Sequence, residues 1–218
     1  MLDVFLPRRC AVCARPGDQV CAECRLAFVR LGPPLCERCG SPGAWPVRRC
    51  AECVGRRLGF ATARGAILYD TRAKAFVRSW KEHGRRDLGR PAAELVVGAV
   101  PRREADAITF VPGDRERGLR RGHSPPERLA RELAAIWDVP AVSLLNRLKP
   151  TPRQRGLGLQ ERRRNVAGAF GAAVAVPPRV VLVDDIYTTG STASGCAAAL
   201  RRAGAERVDV VAFARAVR

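Results

Sequence analysis

Four consecutive aliphatic residues, Val180 to Val183, carry no polar position between them. That is the pattern of a strand buried on both faces. It runs into two adjacent carboxylates, Asp184 and Asp185. Burying unpaired charge is costly, so both acids are expected just past the strand's end, at the mouth of a crevice. Similar short apolar runs occur at Ala63–Tyr69, Ala107–Pro112, Ala141–Leu145 and Arg207–Phe213. Between them the spacing turns helical. Ala73, Ala75, Phe76, Val77 and Trp80 give apolar residues at helical spacing in a segment that Gly84 could end, and Pro91 opens a second helix over AAELVVGA. Ser124, Pro125, Pro126 and Glu127 read as a capping box for a helix through Trp137, and Ala193–Ala203 as a helix closed by Gly204. Strand and helix alternate from about Phe60 onward, which predicts an α/β fold: a parallel sheet with helices on both faces.

Cysteines divide the chain. Eight of the nine form four Cys-x-x-Cys pairs within the first 53 residues: Cys10/Cys13, Cys21/Cys24, Cys36/Cys39 and Cys50/Cys53. Each pair can present two sulfurs to one metal, and two pairs complete a tetrahedral thiolate site. Spacing leaves two pairings open, neighbours in order or a cross-braced arrangement. Four thiolates leave no open coordination position, so two structural Zn2+ ions are expected. A segment this poor in large aliphatics needs the metal in place of a core. The expected division is a zinc-ribbon domain at 1–59 and an α/β domain at 60–218, with Val54–Thr62 as the connector.

Charge adds a class of partner. The formal net charge is +18, and eight thiolates with two zinc ions bring it to about +14. A chain this basic suits polyanions such as DNA or RNA, although only three of its 39 basic residues are lysines and an Arg-rich composition has other origins. Aromatics at 6% argue against an extended base-stacking platform. No apolar run approaches the ~20 residues of a membrane span. The first residues, MLDVFLPRRC, do not read as a signal peptide, so a cytoplasmic protein with reduced thiols is expected.

Candidate chemistry sits at the strand ends. After Asp184 and Asp185 come Thr188, Thr189, Gly190, Ser191 and Thr192, hydroxyl residues around a glycine at a helix entrance. Free amides and the positive end of the helix dipole make such a loop an anion site. Acids for sugar hydroxyls beside a cradle for phosphate point to a ribose-phosphate ligand. The loop after Ala107–Pro112 carries Arg115, Arg117, Arg120 and Arg121, a set suited to pyrophosphate. From Arg147 to Arg164 seven basic residues face one acid, Glu161, in a Gly- and Pro-containing stretch that reads as a lid or a nucleic-acid contact. Cys196 reads as a buried free thiol, Trp80 and Trp137 as core, and His83 and His123 carry no functional expectation.

These motifs together resemble the ComF family of competence-associated, phosphoribosyltransferase-like proteins. The resemblance rests on the cysteine pairs, on Tyr69 with Lys81, His83 and Gly84, and on Thr151, Gln154, Leu157, Glu161, Arg162, Asn165 and Phe170. VLVDDIYTTGST resembles the phosphoribosyl pyrophosphate (PRPP) signature of type I phosphoribosyltransferases. Where the family often has Arg-Gly-Phe-Asn-Gln, this chain has Arg121, Gly122, His123, Ser124 and Pro125, which changes any acceptor-specific role of that loop. The resemblance implies that Asp184 and Asp185 face the ribose hydroxyls, directly or near Mg2+, and that Thr188–Thr192 hold the 5-phosphate. It implies pyrophosphate contacts from Arg117, Arg120 and Arg121, with Lys81 more distant, and a part in DNA uptake alongside single-stranded DNA and the uptake machinery.

Overall fold

The computed structural model describes residues 8–113, 123–149 and 168–217. Four strands form one parallel sheet: β1 (Thr62–Leu68), β2 (Ala107–Phe110), β5 (Arg179–Tyr187) and β6 (Arg207–Arg215), in the order β1-β6-β5-β2. β5 and β6 run side by side in register from Arg179↔Arg207 to Tyr187↔Arg215, which makes them the spine of the sheet. The rims gain single bridges, Arg30 on Ile67 of β1 and Ala141 on Ile108 of β2. Two short strands, β3 (Leu145–Arg147) and β4 (Phe170–Ala172), pair antiparallel apart from the sheet.

Pleating sends successive side chains to opposite faces, and the sheet divides two cores that way. The first helix, α1 (Ala22–Leu26), belongs to the first cysteine segment, and Val181, Val183, Val211 and Phe213 face α2 (Thr71–Glu82), α3 (Gly89–Val97) and α4 (Pro125–Trp137). Val180, Leu182, Val208, Val210 and Ala212 face α5 (Ser191–Arg202) and the β3–β4 pair. The architecture is therefore the expected parallel sheet with helices on both faces. On the first face Phe213 stacks on Phe76 with ring centroids 4.6 Å apart, and Phe28 and Trp80 meet both rings edge-on. Such pairs contribute roughly 0.5–1.5 kcal/mol each beyond their buried area.

Trp80, Trp137 and Cys196 are all buried, as expected. Helix bounds agree closely with the apolar spacing: Asp70 caps α2 by accepting from the Ala73 amide, and Gly84 follows that helix at φ +65°. Three expectations are corrected. The capping box does not form, because Ser124 Oγ makes no side-chain cap bond while Glu127 takes Arg131 one turn on. Ala141 contributes only a bridge, and the strand there starts later, at Leu145. Finally, β5 continues through Tyr187, so Asp184 and Asp185 lie inside the strand and not past it. Strand pairing to Ala212 and Ala214 of β6 carries the backbone on, and the side chains find other ways to be tolerated.

The cysteine quartets form from neighbouring pairs in order. Cys10, Cys13, Cys21 and Cys24 bring their sulfurs within 4.8 Å of one another, and so do Cys36, Cys39, Cys50 and Cys53; the cross-braced pairing is not the one adopted. They occupy opposite faces of the sheet. The first packs with α2, where Ser79 Oγ donates to the Ala11 carbonyl at 2.8 Å, and the second packs with α5 and the β5–α5 loop. The segment expected as a connector is itself packed, with Leu58 and Phe60 buried. Among the described residues no helix is long and apolar enough to cross a membrane.

Candidate ribose-phosphate site and metal centres

The quartets fit a tetrahedral cation. Contacting sulfur pairs lie 3.4–4.0 Å apart, and four ligands at ~2.3 Å from zinc stand about 3.8 Å apart. Amides aim at one sulfur in each set: those of Val12 and Cys21 at Cys10, and that of Cys50 at Cys36. Burial raises both thiols, yet these amide donors outweigh it and bring Cys10 to about 6 and Cys36 to about 7. Burial lifts Cys24, Cys39 and Cys53 above their ordinary values. Each quartet thus readily supports one thiolate, and a bound dication is what ionises the rest.

The β5–α5 junction forms a shallow cleft open to solvent, lined by Asp184, Ile186, Tyr187, Thr188, Gly190, Ser191, Thr192 and Ala193. Gly190 precedes α5 at φ +70°, ψ 8°, a left-handed conformation that costs other residues roughly 1–2 kcal/mol. A Cβ there would also collide with the Tyr187 hydroxyl, so position 190 requires glycine on two grounds. Thr189 Oγ1 lies 2.9 Å from Ser191 Oγ and accepts from the Ser191 amide at 3.3 Å. Among the described residues no protein acceptor takes the amides of Thr189 and Gly190. The loop therefore offers free donors at the start of a 12-residue helix.

Adjacent in sequence, the two acids are split by the pleat. Asp184 lies on the α5 face and lines the cleft. Burial pushes it up to about 7, with Lys81 and Arg147 pulling the other way. Asp185 lies on the α2 face and forms an ion pair with the Lys81 ammonium. Their side-chain oxygens also close local bonds of 2.9 Å, Asp184 accepting from the Asp185 amide and Asp185 from the Ile186 amide.

Of the residues expected from sequence, Asp184, Asp185, Thr188, Thr189, Gly190, Ser191, Thr192 and Lys81 come together at the carboxyl end of β5. Arg115, Arg117, Arg120 and Arg121 lie outside the described residues, as does the stretch from 150 to 167 with Thr151, Gln154, Leu157, Glu161, Arg162 and Asn165. One contributor was not singled out. Arg147, at the end of β3, lies 5.0 Å over the Phe170 ring, donates to the Pro112 carbonyl at 3.1 Å and acts electrostatically on Asp184. Its only sequence signal was membership in the basic run.

Residues 1–54 match the double zinc ribbon domain family. Competence protein F of Haemophilus influenzae is 31% identical over 211 residues, covering 90% of each chain. The DNA utilization protein YhgH of Salmonella typhimurium is 30% identical, covering 96% of this chain and 98% of its own. Among solved structures, a glutamine PRPP amidotransferase from B. subtilis is similar at TM-score 0.40 and 26% identity, over 60% of this chain and 26% of that one. An adenine phosphoribosyltransferase from Thermoanaerobacter pseudethanolicus is similar at TM-score 0.39 and 15% identity, over 70% and 90% of the two chains.

Proposed function

The chain belongs to the ComF family of competence proteins, and we propose that its β5–α5 cleft binds PRPP together with Mg2+. The observation that carries this reading is the pairing of a phosphate-type loop with a buried carboxylate in one cleft. The amides of Thr189 and Gly190, with the hydroxyls of Thr188, Ser191 and Thr192, take the 5-phosphate at the positive end of α5. Asp184, held near half-protonation at neutral pH by its burial, accepts a ribose hydroxyl or faces the cation. Asp185 fixes Lys81 beside it, and Lys81 with Arg117, Arg120 and Arg121 faces pyrophosphate.

If the site turns over, the reaction is transfer of phosphoribose to an acceptor, with pyrophosphate leaving through an oxocarbenium-like state. Mg2+, when bound, would supply charge neutralisation for the leaving group; the residues' part is to hold phosphate and ribose and to place positive charge at the departing oxygens. No described side chain stands out as a general base. The biological setting, DNA uptake by a cytoplasmic protein, rests on the family and on relatives named for competence and DNA utilization.

Calorimetric titration of the full chain with PRPP and Mg2+ tests this. Wild type should bind, and Asp184→Asn/Asp185→Asn should lose at least about tenfold in affinity. Unchanged binding by the double variant would end the ribose-site assignment. Pyrophosphate release on adding candidate bases then separates an enzyme from a sensor.

A second reading, a PRPP sensor that binds single-stranded DNA, is favoured by one feature. Trp45 is 69% exposed on the second ribbon, beside exposed Arg48 and Arg49, a pairing of stacking surface and cation. Affinity for a single-stranded oligonucleotide should fall steeply with salt and by about 1–3 kcal/mol on Trp45→Ala. Salt-insensitive binding counts against it.

A further inference from the structure

We infer that the second cysteine quartet and the phosphate loop form one mechanical unit, in which Arg56 and Arg215 are positioning residues for the amides that receive phosphate. Arg56 donates to the Thr189 carbonyl at 2.7 Å and to the Glu52 carbonyl at 3.1 Å, so one guanidinium joins the loop to the second ribbon. In a planar trans peptide the carbonyl and the following N–H point in opposite directions. Anchoring the Thr189 oxygen on Arg56 therefore aims the Gly190 amide away from the ribbon, and Gly190 lines the cleft. Arg215 reinforces this from below. Its side chain is 1% exposed, pairs with Glu52 at 2.6 Å and donates to the carbonyl of the metal-ligand residue Cys39 at 2.6 Å. Its guanidinium lies 4.6 Å from the Tyr187 ring centre, and the Tyr187 hydroxyl sits directly under Gly190. One route runs from Glu52, beside the ligand Cys53, to the Thr189 carbonyl, and the other from the ligand Cys39 through Arg215 and Tyr187 to the underside of Gly190.

Among the described residues the first quartet has no such route to the loop. Its ties run to α2 and α3, through Ser79 to Ala11 and Arg25 to Glu94. Coupling free energies are reciprocal, so ligand in the cleft should retain metal in the second quartet and leave the first unaffected. This ligand arm rests on the proposed PRPP reading; the loop arm does not.

The experiment uses the full, zinc-loaded chain. Amide exchange at Ser191 and Ser194, whose amides donate to Thr189 Oγ1 and to the Gly190 carbonyl, is compared in wild type, Arg56→Met, Arg215→Met and the control Arg25→Met, with zinc content measured on each. Exchange should rise at least about tenfold in Arg56→Met and Arg215→Met with both zinc ions retained, and stay at the wild-type rate in Arg25→Met. Wild-type exchange in Arg56→Met overturns the inference, and because Arg56 is only half-buried that variant decides the matter even if Arg215→Met fails to fold. In the second arm, chelator-driven zinc release is followed with and without PRPP and Mg2+, and alkylation identifies which cysteines have been freed. Slowing confined to Cys36, Cys39, Cys50 and Cys53 supports the unit; equal slowing at both quartets overturns it. Absence of PRPP binding with raised loop exchange sinks the PRPP reading and leaves the clamp standing.

Discussion

Two cysteine quartets of the same ligand type sit on opposite faces of one sheet and are built into the molecule differently. The first presents an exposed sulfur residue, Cys13, while Cys36, Cys39 and Cys53 of the second are buried. The first steadies the face on which Lys81 meets Asp185; the second lies against the loop at Thr188–Thr192 and below Asp184's side of the cleft. A metal-ligand motif is thus read locally, but its consequence depends on the surface it is packed against. The two faces also treat their carboxylates differently, one paired with a cation and one held close to neutral.

The largest difference should appear on removing a ligand from each quartet. Each of Cys53→Ser and Cys13→Ser should lower bound zinc by one equivalent. Because structural zinc contributes on the order of 10 kcal/mol in small folds, Cys53→Ser should lower the melting midpoint by more than about 10 °C. Cys13→Ser should lower it less, because its sulfur is already solvated. Equal shifts in calorimetric scans would erase the proposed asymmetry.

On the first face, Lys81→Met leaves Asp185, 7% exposed at its side chain, without its ion-pair partner. Stranding a buried charge costs about 3–5 kcal/mol, read from denaturant unfolding. Adding Asp185→Asn should restore most of that loss, and failure to do so would mean that Lys81 acts through packing alone.

On the second face the sign reverses. Asp184 titrates at about 7 when folded, against 3.8 as its ordinary value. Below pH 4 both states are protonated and Asp184 contributes nothing. Between about 4 and 7 only the unfolded chain gives up the proton, so stability falls as pH rises, and above 7 the penalty is constant. Asp184→Asn should therefore stabilise the protein at pH 8 by up to about 4 kcal/mol and flatten that limb of the stability profile. A destabilised variant at pH 8 would show that the carboxylate is charged and satisfied in the apo protein.

The smallest effect on stability, and a large one on ligand, belongs to Gly190→Ala. Strain at the left-handed position should cost about 1–2 kcal/mol, the Tyr187 ring must also shift to admit the Cβ, and the displaced loop should abolish measurable phosphate-ester binding by calorimetry. Retained affinity would mean that Gly190 is a packing glycine only.

Much of this was legible locally. Four Cys-x-x-Cys turns are contiguous motifs, and their mutual proximity in the chain made neighbour pairing one of two simple solutions. VVLV followed by hydroxyls and glycine marks a strand, a loop and a helix entrance within 13 residues, and the loop's chemistry is carried by its own backbone. Ser124 misled because a capping box needs the hydroxyl aimed at the amide three residues on, and here Ser124 Oγ makes no such bond while the Glu127 carboxylate turns to Arg131. Asp184 and Asp185 misled in a more instructive way: charge argued for a strand end, while cross-strand pairing with β6 extended the strand through both.

Sequence by itself determined the eight metal-ligating cysteines but not how their pairs combine, together with the alternation of strand and helix, the two-faced sheet and the residues of the β5–α5 loop, since each depends on neighbours a few positions apart. Tertiary structure alone decided which acid is paired and which is buried unpaired, because pleating separates adjacent side chains by the thickness of the sheet. It also brought in Arg147 and Arg215, and it joined Arg56 to Thr189, 133 positions along the chain. Such contacts come from chain crossings that no local pattern encodes, and they settle the electrostatics of the cleft and what holds its loop in place.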